Sequence, residues 1–121
     1  MIKALDHIAL ILSSEHCLDF YKALGFKETS RTQRPDHHDQ LIWLEGFGTT
    51  LEVFLDNTHP QRLSNPESNG LRHIAFTVDN LEQTHKDLAQ YNPEPIRQTY
   101  RIFFVKDPDG QPIEFRENKS R

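Results

Sequence analysis

Apolar and polar positions follow a pattern along the chain that occurs twice. His7-Ile8-Ala9-Leu10-Ile11-Leu12 is echoed 66 residues later by His73-Ile74-Ala75-Phe76-Thr77-Val78, with three identities and three strand-compatible exchanges. A second echo closes each half. Gly48-Thr49-Thr50-Leu51-Glu52 corresponds to Gly110-Gln111-Pro112-Ile113-Glu114, each Glu lying four residues after a turn glycine. The echoes keep the same order and similar spacing, 45 residues from His7 to Glu52 and 41 from His73 to Glu114, which points to an internal duplication.

Between the echoes the period changes. Ser14 to Leu24 sets Cys17, Leu18, Phe20, Tyr21 and Leu24 close to helical spacing, with Ser13 or Ser14 as N-cap and Gly25 as the stop. Asp79 or Asn80 caps a second expected helix, from about Leu81 to Tyr91, ending before Pro93. The other segments read as short strands: Phe26 to Thr32, Gln40 to Glu45 and Thr49 to Leu55, then Ile96 to Gln98, Arg101 to Lys106 and Pro112 to Arg116. Gly46-Phe47-Gly48 and Asp107-Pro108-Asp109-Gly110 are turns between neighbouring strands. Each half is therefore expected to be β-α-β-β-β, an α+β fold. The modules cover about 3–55 and 70–117 of a single domain spanning 1–121, with a Pro-, Asn- and Ser-rich linker at 56–69 and a polar tail at Asn118 to Arg121.

Composition narrows the function classes. The 121 residues carry 36% hydrophobic and 26% charged side chains, with eight Phe and one Trp, enough for a packed core without disulfides or a structural metal. Eighteen acidic against fourteen basic residues give a net charge of −4, and no Lys/Arg cluster could neutralise a run of phosphates, so nucleic acid is not an expected partner. The lone Cys17 cannot form an internal disulfide, and no stretch resembles a signal peptide or a membrane span. A cytoplasmic location is expected.

Strand parity then brings out the candidate chemistry. Ile8, Leu10 and Leu12 oppose His7; Leu51 and Val53 oppose Glu52; Ile74, Phe76 and Val78 oppose His73; Ile113 and Phe115 oppose Glu114. The faces bearing His7, Glu52, His73 and Glu114 carry small or polar companions, Ala9, Thr50, Ala75, Thr77 and Arg116, as a cavity lining would. Gathering two carboxylates and two imidazoles without a cation would cost several kcal/mol, roughly, per buried charge. One divalent metal would compensate them, and this ligand set suits Ni, Zn, Co, Mn or Fe better than the harder Ca or Mg. Taken singly, each residue is equally an ordinary core histidine or strand carboxylate; the repeat symmetry is what groups them. For Glu114 a salt bridge with Arg116 or Arg72 is the plain alternative.

The repeated halves, the paired His-Ile-Ala starts and the Asp107-Pro108-Asp109-Gly110 turn before Glu114 resemble the vicinal oxygen chelate superfamily. That superfamily includes glyoxalase I, fosfomycin-resistance proteins, extradiol dioxygenases and bleomycin-resistance proteins. The resemblance covers about Lys3 to Glu117. It implies two modules forming a cup-shaped incomplete barrel, with the first and fourth strands of each supplying the metal ligands, hence His7, Glu52, His73 and Glu114. Four filled positions are similar to bacterial-type glyoxalase I. The implied chemistry is that of a lyase or isomerase, in which a proton moves between adjacent carbons of a substrate whose neighbouring oxygens chelate the metal. Glu114 or Glu52 would be the catalytic base, Glu114 preferred. The chain is shorter than typical glyoxalase I and lacks an evident glutathione-recognition segment, so a small metabolite other than the glutathione adduct is the expected substrate.

Two other functions compete. One is an Fe(II) dioxygenase using His7, His73 and Glu114 as a facial triad. The other is a resistance protein that sequesters a small molecule without chemistry. Trp43, Phe54 and Phe103 are candidate pocket walls, equally suited to core packing, and Arg116 is the best placed of Arg34, Arg72, Arg101 and Arg116 to anchor a substrate anion. His37-His38 reads as a solvated loop, Cys17 as packing, and His16, His59 and His85 carry no assigned role. A homodimer is expected by resemblance. The linker, able to span about 40 Å when extended, leaves open whether the metal site is intra-chain or shared.

Overall fold

The computed structural model describes residues 1–117; the expected polar tail at Asn118 to Arg121 lies outside the described residues. The chain divides into two compact units, Met1–Pro60 and Gln61–Arg121, at a boundary inside the linker.

In the first unit, strand β1 (Ile8–Leu12) leads into helix α1 (Glu15–Leu24), followed by β2 (Lys27–Gln33), β3 (Gln40–Gly46) and β4 (Thr49–Leu55). Ser14 caps α1 by accepting a hydrogen bond from the Cys17 amide. Gly25 ends it at φ 121°, a conformation that disfavours a side chain, and a Cβ there would stand 2.8 Å from the Phe47 ring. The open sheet has the order β1-β4-β3-β2, with β1 and β4 parallel and the remaining pairs antiparallel. Cys17, Leu18, Phe20 and Tyr21 of α1 are buried, as are Ile42, Leu44, Leu51 and Val53 of the central strands. The edge strand β2 is polar and exposed throughout, which suits a strand with one unpaired flank. Arg31 ties it to α1 through an ion pair with Glu15, Lys22 of α1 joins Glu28 at 2.8 Å, and Arg31 also pairs with Glu28 along the strand.

The second unit has β5 (Ile74–Val78), α2 (Leu81–Asp87), a 3₁₀ turn at Ala89–Tyr91, β6 (Ile102–Lys106) and β7 (Pro112–Glu117). Its open sheet has the order β5-β7-β6, with β5 and β7 parallel. Asn80 caps α2 through the Gln83 amide. The strand expected at Ile96 to Gln98 is reduced to one bridge, Arg97 to Ile102. Pro93 and Pro95 remove two backbone donors, so only Glu94 and Arg97 donate to β6, at the carbonyls of Phe104 and Ile102. The second module is thus β-α-β-β with an irregular edge. Arg101, at φ 55°, turns the chain into β6 and pairs with Glu82 and Glu117.

Candidate metal centre

The two units build the same local arrangement. Each His stands one residue before its first strand, and the Ala two residues later faces the Glu across a parallel pair: Ala9 opposite Glu52, Ala75 opposite Glu114. The small methyl leaves room for each imidazole to lean toward the carboxylate. Nε2 of His7 lies 3.4 Å from Oε1 of Glu52, and Nε2 of His73 lies 3.7 Å from Oε1 of Glu114. On the other side of each Glu an aromatic residue occupies the paired position, Trp43 opposite Glu52 and Phe104 opposite Glu114. Both aromatics meet their His edge-on, with ring centroids 5.2 and 5.1 Å apart.

These distances test the fit of a metal. Two ligands at about 2.0–2.2 Å from one ion, in tetrahedral or octahedral disposition, are separated by about 3.0–3.6 Å. The His7–Glu52 separation of 3.4 Å falls inside that range and the His73–Glu114 separation of 3.7 Å lies just beyond it, and both exceed a short direct hydrogen bond. The donor types, imidazole nitrogen and carboxylate oxygen, suit a borderline divalent ion. Each unit holds one such pair; among the described residues no group of three or more His, Cys, Asp or Glu gathers at metal-binding distance.

Neighbouring charges orient these side chains. Nδ1 of His7 is 2.6 Å from Asp6, whose hydrogen bond, aided by the Glu52 charge, raises the imidazole above its ordinary 6.5. In the neutral ring the Asp6 contact favours the Nδ1–H tautomer and leaves the Nε2 lone pair toward Glu52. Glu114 is buried, and its Oε2 lies 3.6 Å from Nη1 of Arg116, so Arg116 steers the carboxylate. The turn before Glu114 is held by the buried Asp107, whose Oδ1 accepts from the Asp109 and Gln111 amides. Gln111 donates in turn to the carbonyl of Arg72, fixing the chain just ahead of His73.

Other expected positions are distributed differently. Trp43 is half-buried beside His7, and Phe54 lies under the guanidinium of Arg34, 4.9 Å from its ring centroid, while Arg34 is itself held bidentately by Asp39. Of the two expectations for Phe103, pocket wall or core packing, the fold takes core packing. Phe103 is fully buried against Phe115 and His85, and its neighbour Phe104 faces the cavity of the second unit instead, because strand parity alternates there. His85, given no role by the sequence, also binds the Glu94 carbonyl at 2.8 Å and supports the irregular edge. The pairing of Phe104 with Glu114 was legible in principle from the repeat, since Trp43 precedes Glu52 by nine residues and Phe104 precedes Glu114 by ten.

The Glyoxalase/Bleomycin resistance protein/Dioxygenase superfamily model matches residues 4–115. The chain belongs to this superfamily. It is 35% identical to the uncharacterized protein YwkD of Bacillus subtilis, over 97% of this chain and 98% of that one. It is 30% identical to the lactoylglutathione lyase of Escherichia coli O157:H7, over 87% of this chain and 84% of the relative. A solved glyoxalase family protein from Enterococcus faecalis superposes with a TM-score of 0.87 at 33% identity, covering 95% of this chain and 98% of that one. The superfamily fold, mixed α+β with small open sheets, is the fold of this protein. A variant of a fosfomycin resistance protein from Listeria monocytogenes shares that fold (TM-score 0.75, 16% identity, 98% and 95% coverage) and was solved with Mn(II) and a dihydroxypropylphosphonic acid. Divalent-metal binding thus occurs on this fold. Among the described residues no helix is long and apolar enough to cross a membrane.

Proposed function

We propose that the protein is a divalent-metal-dependent enzyme of the glyoxalase type, with His7, Glu52, His73 and Glu114 as ligands of one ion. The observation carrying this reading is the repeated His–Glu pair, built with the same strand register and the same aromatic flank in both units. A bound Ni, Zn, Co, Mn or Fe ion would act as a Lewis acid toward two adjacent substrate oxygens. The chain's own residues do the rest. Glu114, steered by Arg116, takes the proton from one carbon and returns it to the next, while Glu52 occupies the equivalent position in the first unit. Trp43 and Phe104 restrict the imidazoles and limit water around them. Glu52 argues against a dioxygenase, because it has the same setting as Glu114 and makes a fourth ligand where a facial triad needs three.

The substrate is proposed to be a small oxygen-chelating metabolite and the active form a cytoplasmic homodimer. The exposed Ile11 on the edge strand β1, and Leu5 ahead of that strand, offer apolar surface for association. Calorimetric titration of chelator-treated protein with each divalent ion, combined with sedimentation, tests the reading. One ion per chain is expected, with affinity falling at least tenfold in each of H7A, E52Q, H73A and E114Q. Two independent weak sites, or none, would defeat it; iron as the metal retained on purification would favour the dioxygenase.

A further inference from the structure

The second unit holds a cavity of about 580 Å³, a size suited to a small molecule, with His73 and Phe104 in its lining. Its charge runs against that of the chain. The protein carries a net −4, yet the cavity is lined by Arg72, Arg97 and Lys106 against only Glu67 and Glu94. Two of the three cations are already engaged. Nε of Arg72 donates to Glu67 at 2.7 Å and its Nη2 to the other oxygen at 3.5 Å, so the fork is occupied. Arg97 donates to Glu94 at 3.0 Å and lies over the Phe104 ring, 5.1 Å from its centroid. The Lys106 side chain has no ion-pair or hydrogen-bond partner among the described residues, although it lines the same cavity as His73.

We infer that this cavity receives one carboxylate of the substrate, with Lys106 as its charge anchor. The inference rests on the metal-enzyme reading and deepens it by naming the substrate class: a small molecule with two adjacent oxygens at one end and a single carboxylate at the other. The surplus of one positive charge matches a monoanion and not a phosphate dianion, and a lysine ammonium is a point charge that accepts a single carboxylate without a paired fork. Arg97 and Phe104 form a cationic, flat wall beside the arm joining the two ends. Pro112 and Tyr91 add apolar and aromatic surface. Lys106 pairs in register with Pro112 at the end of β6, which holds its backbone at the cavity rim.

Glutaric acid monohydroxamate joins a bidentate oxygen chelator to a carboxylate arm, and its terminal amide keeps the chelator while removing the charge. Binding of both is measured by calorimetry in Zn(II)-loaded protein, and by amide NMR shifts in metal-free protein. The acid is expected to bind the loaded protein at least tenfold tighter than the amide. K106M should erase that difference and K106R restore it, with the amide's own affinity unchanged. In metal-free protein the acid should still shift the amide signals of Arg97, Phe104 and Lys106 at millimolar concentration, and the terminal amide should not. Equal affinities of acid and amide, or a preference surviving in K106M, would overturn the carboxylate site and leave the metal reading standing. Zn(II) without effect on either ligand, with the acid's NMR shifts retained, would instead defeat the metal reading and uphold the carboxylate site.

Discussion

Nδ1 of His7 lies 2.6 Å from the Asp6 carboxylate while Nε2 of the same ring faces Glu52 at 3.4 Å. The imidazole is therefore gripped on one nitrogen and presented on the other, as a metal-ligating histidine with an outer carboxylate would be. D6N is expected to weaken divalent-ion affinity by about tenfold, the lower end of what losing such a partner costs. Because Asp6 is exposed, the thermal midpoint of the metal-free protein should hardly move. Competition titration against a chromogenic chelator, alongside thermal melts, checks both halves of this expectation.

Ala9 and Ala75 sit opposite the two glutamates and are exposed in their units. A leucine at either position would occupy the space through which the imidazole reaches its carboxylate. A9L and A75L should each lower metal affinity by about tenfold or more, while changing unfolding free energy by only about 0.5 kcal/mol, as surface substitutions do. An A75L protein that binds metal normally would show that the small residue is not needed.

Phe103 and Phe104 are adjacent but should respond oppositely. F103A empties a fully buried site and is expected to cost about 3–5 kcal/mol in urea unfolding. F104A should cost clearly less, being half-buried, and instead loosen His73 and Arg97, with loss of ligand and metal affinity. The same experiment on both variants separates core from cavity wall.

Acid stability should report the α1–β2 clamp. Hydrogen bonds from Arg31 and Lys22 hold the Glu28 carboxyl down from its ordinary 4.5 to about 2. A depressed carboxyl stabilises the fold fully above its unfolded value, so this contribution is present above about pH 4.5 and is lost as pH falls through about 2. Urea midpoints measured across that window should fall more steeply in the native protein than in E28Q, which has no such carboxyl to protonate.

Much of this was readable from the residues themselves. Parity along Leu51-Glu52-Val53 and Ile113-Glu114-Phe115 assigned each glutamate a face, because a strand alternates with a fixed period whatever it pairs with. Ser13 or Ser14, Gly25, and Asp79 or Asn80 marked the helix ends because capping is decided by local backbone groups, and the fold uses Ser14, Gly25 and Asn80. The repeat related His7 to His73 before any coordinate did.

Other features depended on how the folded chain arranges its side chains. Whether Phe103 or Phe104 lines the cavity turned on which face of β6 packs inward, and an apolar run reads the same from either side. Pro93 and Pro95 were visible, but their effect on the edge strand required knowing which β6 carbonyls their neighbours would have to reach. Arg72, Arg97 and Lys106 are equivalent cations in the sequence. Only tertiary structure gives Glu67 to the first and Glu94 and Phe104 to the second, because ion pairing is decided by distances of a few ångströms. The sequence by itself determined the two His–Glu pairs through strand periodicity and repetition; the charge left over at Lys106 was decided by the folded structure alone.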